Sequence, residues 1–152
     1  MKGGFNLDTL NSYDKFAEPL REALKSGIVA FPKGVQFEFT PFWAYRGIIR
    51  KSNQSLELGP DDFRSQMQRP NRRPGSRVVA MDCIGQYSCS LFTDLSQLKI
   101  NFHLSGNNKR IAYGLVKDIN GCQKTTPETT HVHWWLYHSA CCEKDFKVIE
   151  SE

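Results

Sequence analysis

The tetrapeptide Ser105-Gly106-Asn107-Asn108 stands between two alternating apolar runs, Ile100, Phe102 and Leu104 before it and Ile111, Tyr113 and Leu115 after it. Glycine and asparagine tolerate the positive φ angles of tight turns, and an apolar side chain at every second residue marks a strand with one face in a core. The pattern predicts a β-hairpin. The same period predicts strands at Val78 to Ile84, Tyr87 to Phe92, Leu98 to Leu104, Arg110 to Ile119 and His131 to His138, with a further turn at Asn120-Gly121. The half from 78 to 152 therefore reads as a β-meander.

The half from 1 to 77 begins differently. Leu7, Leu10, Phe16 and Ala17 approximate a helical stripe with Asp8 as N-cap, and Pro19 disfavours helical geometry at Glu18. Pro19 suits the first turn of a second helix carrying Leu20, Ala23 and Leu24, which Gly27 ends in the left-handed conformation. Val35, Phe37 and Phe39 then alternate as a strand up to Pro41, and Phe42 to Ile49 predict another. Pro60 with Asp61 and Asp62 predicts a helix start, with Phe63 and Met67 on one face and Pro70 as the stop.

At 152 residues, 39% hydrophobic and 24% charged, the chain has the size and composition of a single domain, 1–152, with its own core. The expected fold class is α+β: N-terminal helices packed on a curved, mainly antiparallel β-sheet or partly closed barrel. No run approaches the ~20 apolar residues of a membrane span, and the first residues lack the apolar centre of a secretory signal. Five cysteines without regular spacing read as reduced thiols, mostly buried, so a soluble cytoplasmic protein is expected. The alternative is an exported chain in which Cys83 and Cys89 bridge across a turn.

The net charge of +4 is modest, but between Arg64 and Arg77 there are five arginines and no acid, on a backbone stiffened by two prolines. Guanidinium groups pair bidentately with phosphate, and Arg69, Arg72, Arg73 and Arg77 are the candidate anion contacts. Trp43, Tyr45, Arg46 and Arg50 mix rings with cations, as single-stranded nucleic acid requires for base stacking and phosphate neutralisation. The leading expectation is a binding domain for a polyanion, most plausibly single-stranded nucleic acid, without a cofactor. A solvated loop that merely aids solubility is the bland reading of the arginine segment.

A second constellation is Thr130-His131-Val132-His133-Trp134-Trp135-Leu136-Tyr137-His138. On a strand, His131, His133, Trp135 and Tyr137 share one face. With Cys122 or His103 as a third ligand the two imidazoles could hold zinc or iron; without a metal, His131, His133 and Tyr137 could form an acid–base set in a sheet-face pocket. A hydrogen-bonded structural histidine is the simpler reading. A third class is a protein-interaction or homo-oligomeric subunit using an aromatic patch at Phe42, Trp43 and Tyr45. Neither GxGxxG, GxxxxGK[ST], GxSxG nor HExxH occurs in the chain.

Overall fold

Phe42–Ile49 forms a strand, β1, because its alternate residues Ala44 and Ile48 enter a core while Trp43 and Ile49 stay outside. The computed structural model describes residues 12–50, 55–68, 82–102 and 108–149. Five more strands complete one antiparallel sheet: β2 (Cys89–Phe92), β3 (Lys109–Val116), β4 (Gly121–Thr126), β5 (His131–Leu136) and β6 (Phe146–Ile149). Their order is β4-β5-β2-β1-β3-β6, and the sheet is not closed. Among the described residues two helices accompany it, α1 (Leu20–Ser26) and α2 (Leu95–Phe102), so the α+β class expected from sequence is what the chain adopts.

The sheet carries packed side chains on both faces. On one, Ala44, Leu91, Ala112, Val132 and Trp134 pack with Phe63, Cys142 and Phe146. On the other, α1 and its flanks cover the β4–β5 end, where Phe16, Leu20 and Leu24 meet Cys122 and Trp135, while α2 covers the β1–β3 end through Leu98 against Phe92 and Ile111. Between these two helical covers the second face is left open.

The meander expectation is corrected by the strand order: β2 pairs with β5, β1 with β3 and β3 with β6, so sequence neighbours are mostly not sheet neighbours. The expected hairpin is corrected too. Leu98 to Phe102 belongs to α2, not to a strand, and Ile100, which the alternation placed in a core, is 63% exposed. Leu98 and Phe102 are four residues apart and satisfy a helical face as well as a strand face. The Leu98 amide donates to the Asp94 carbonyl, and the Asp94 carboxylate accepts the Ser96 hydroxyl at the start of the helix. The turn itself, up to Asn107, lies outside the described residues, as does most of the expected strand at 78–84; Ile84–Tyr87 is a 3-10 turn.

The Glu18-Pro19 break stands where proline placed it, and Gly27 ends α1 at φ +82°. Leu7 and Leu10 fall outside the described residues. Val35 to Phe39 makes no strand: only Gln36 pairs, through reciprocal amide bonds with Gln123 of 2.8 and 3.1 Å. The helix expected from Pro60 shrinks to a 3-10 turn, Pro60–Phe63, followed by another at Gln66–Gln68, and Arg64 between them is extended. A buried guanidinium explains the interruption. Arg46 donates to the Asp62 and Arg64 carbonyls, which a continuous helix would use internally. The five cysteines are free, with Cys89, Cys122 and Cys142 buried, so Cys83 and Cys89 form no bridge.

Candidate functional site

Tyr45 pairs with Phe92, and beyond that point β1 and β2 separate. Arg46 fills the seam: its Nε donates to Asp62 O at 2.9 Å, Nη1 to Ser90 O at 2.8 Å and Nη2 to Arg64 O at 3.0 Å. Over this seam lies an open cleft of about 830 Å³. One wall is α2, through Leu98, Asn101 and Phe102; another is the Ile84–Tyr87 turn; the third is made by Lys124 and Thr126 of β4 with His131 and His133 of β5. The cleft falls within the ~300–1,000 Å³ of ordinary ligand pockets.

The imidazoles are held in place by β2. Ser88 Oγ lies 2.7 Å from His133 Nδ1 and 2.9 Å from the Gly85 carbonyl, and Ser90 Oγ is hydrogen-bonded to His131 Nε2. The pairing register explains this, since Ser90 stands opposite His133 and Phe92 opposite His131. Rings then follow one another along the wall: Phe92 to His131 at 4.9 Å, His131 to His133 at 4.4 Å and His133 to Trp135 at 5.5 Å between centroids. Gly85 permits the approach of the turn, because a Cβ there would come within 3.1 Å of the His133 ring. Burial holds both imidazoles below the ordinary value of 6.5, His133 at about 4 with His131 and Lys124 adding to the effect. Both are neutral at pH 7.

Charge in the cleft has one sign. Its described lining includes Arg46, Arg64 and Lys124 and no carboxylate. Arg46 is occupied by backbone carbonyls, and Arg64 is partly engaged by Asp61 at 2.9 Å. Lys124, opposite His133 in the β4–β5 register, makes no ion pair among the described residues.

The expected sites are redistributed. His131 and His133 come together as the alternation required, but Tyr137 does not join them. It packs on Phe16 with Lys15 Nζ 4.8 Å from its ring, and burial pushes its hydroxyl up to about 12. Cys122 faces Trp135 rather than either histidine, is fully buried, and has its thiol pushed up to about 12 by desolvation. Among the described residues no three His, Cys, Asp or Glu side chains converge to hold a metal, and His103 lies outside them.

Arg46 and Arg50, expected to meet phosphate, are structural. Arg46 is 6% exposed, and Arg50 pairs with Asp62 at 2.8 Å with both side chains largely covered. Trp43 is 53% exposed and stacked on Tyr113 at 5.0 Å, whereas Tyr45 lies against the α2 cluster and Phe42 against the opposite core. The aromatic patch thus reduces to Trp43 and Tyr113. Arg69, Arg72, Arg73 and Arg77 are outside the described residues.

Sequence reading missed Ser88, Ser90 and Lys124. The signal for the serines was present: Ser88, Ser90 and Phe92 alternate with Cys89 and Leu91, a strand with hydroxyls on one face. Nothing in sequence told which strand would lie beside it. Comparison of the chain with protein-family models, curated proteins and solved structures finds no match.

Proposed function

We propose that this chain is a binding domain whose cleft takes a phosphate-bearing ligand with a planar ring, a nucleotide in the simplest case. The supporting observation is a lining that combines Lys124, Arg64, two serine hydroxyls and neutral imidazoles with no carboxylate among the described residues. An anion entering a partly desolvated, carboxylate-free pocket meets attraction without like-charge repulsion. The ring row from Phe92 to Trp135 offers apolar and polarisable surface beside the cations. The polyanion chemistry expected of the Arg64–Arg77 segment with Trp43 and Tyr45 is retained, and the cleft is proposed as its place.

Calorimetric titration with adenosine 5′-diphosphate at two salt concentrations tests it. Lys124→Ala should weaken binding about tenfold and reduce its salt dependence. Unchanged affinity in Lys124→Ala and Arg64→Ala together would refute the cleft assignment.

A second reading, single-stranded nucleic acid, rests on the Trp43–Tyr113 stack exposed on the same sheet face. Bases stack on exposed rings with ~1–3 kcal/mol each. It predicts that an oligonucleotide binds more tightly than the mononucleotide and that Trp43→Ala removes the difference. Equal affinities for the two ligands would dismiss it.

A further inference from the structure

Resting on the phosphate-ligand reading, we propose that His133 recognises the edge of the ligand's ring, its Nε2 accepting a hydrogen bond from an amino group there. The assignment follows from Ser88. A hydroxyl has one proton and can accept further hydrogen bonds. Ser88 lies 2.9 Å from the Gly85 carbonyl, which can only accept, so its proton goes there and His133 must donate from Nδ1 to Ser88 Oγ. His133 Nε2 is then bare. Ser90 Oγ is hydrogen-bonded to His131 Nε2, a contact that either neutral tautomer of His131 can make.

His133 Nε2 has no hydrogen-bond partner among the described residues, and its side chain lines the cleft beside His131, with their ring centroids 4.4 Å apart. The two ring planes stand at 78°, so the ligand edge meets the His133 acceptor alone, and an amino donor complements it. Adenine carries such a donor in its N6 amino group, and a carboxamide carries another. The burial that keeps His133 neutral preserves the acceptor, since an imidazolium would donate from both nitrogens.

The tautomers are read by long-range proton–nitrogen NMR of histidine-labelled protein. His133 should carry its proton on Nδ1; a proton on its Nε2 overturns the proposal. Binding is read by calorimetry with pyrophosphate and adenosine 5′-diphosphate. The nucleotide should bind at least tenfold more tightly, and His133→Phe, which keeps a ring but removes the acceptor, should abolish that margin while leaving pyrophosphate unaffected. Ser88→Ala, which frees His133 to change tautomer without altering the ring, should reduce the margin and guards against misfolding of the phenylalanine variant. Equal affinity for the two probes in the unaltered protein refutes edge recognition alone. Failure of both to bind refutes the phosphate-ligand reading beneath it.

Discussion

Arg46 illustrates how much a side chain's neighbours decide its role. Its three nitrogen contacts are all to backbone carbonyls, on Asp62, Arg64 and Ser90, and they tie the 3-10 turn to the edge of β2. Replacing it with methionine leaves those carbonyls unpaired in a buried seam, and each unsatisfied group costs ~1–3 kcal/mol. Arg46→Met should therefore lower stability in chemical denaturation by ~3 kcal/mol; a loss near zero would show that water satisfies the carbonyls equally well. In sequence the same arginine, beside Trp43 and Tyr45, read as a phosphate contact, because the donors of a guanidinium do not reveal their acceptors. His133 carries the other residue-scale expectation. Its folded value of about 4 lies below the ordinary 6.5, so between those limits the unfolded chain binds more protons. Its contribution to stability is complete above pH 6.5 and declines as pH falls toward 4, by ~2 kcal/mol after allowance for solvent screening. Denaturation midpoints across that range should flatten in His133→Gln relative to the unaltered protein, and an identical slope in both would contradict the burial argument.

α2 was legible as an apolar segment but not as a helix, since Leu98 and Phe102 fit periods of two and of nearly four alike. What decides between them is tertiary: Phe102 settles on Gly47 of β1, where any side chain would collide with its ring. Gly47→Ala should cost ~1–3 kcal/mol, as overpacking does, and should raise amide exchange in α2 while β4 and β5 remain protected. Uniform loss of protection across the sheet would instead mean that α2 is integral to a single cooperative unit. The missed strands have a related cause. β4 reads Gly-Cys-Gln-Lys-Thr-Thr, with weak apolar content, and its pairing comes from β5 at its side and Gln36 at its edge. β6 is four residues long and is held by register with β3. Neither has a sufficient local signal. By contrast, β1, α1 and its glycine stop, and the shared face of His131 and His133, were all visible in spacing alone.

For the molecule as a whole, local patterns established helices with an antiparallel sheet, whereas strand order, which brings β2 beside β5, depends on contacts far apart in sequence. The cleft is a product of that order. Its serines come from one strand, its imidazoles from another and Lys124 from a third, so no contiguous motif could announce it. Among the described residues no helix is long and apolar enough to cross a membrane. The account stands or falls on whether a phosphate-bearing ligand occupies the cleft. An amide NMR titration with adenosine 5′-diphosphate addresses that directly. The largest shifts should fall on Ser88, Ser90, Lys124, His131 and His133 and should diminish as salt is raised. An absence of shifts at millimolar nucleotide, or shifts confined to Trp43 and Tyr113, would contradict it.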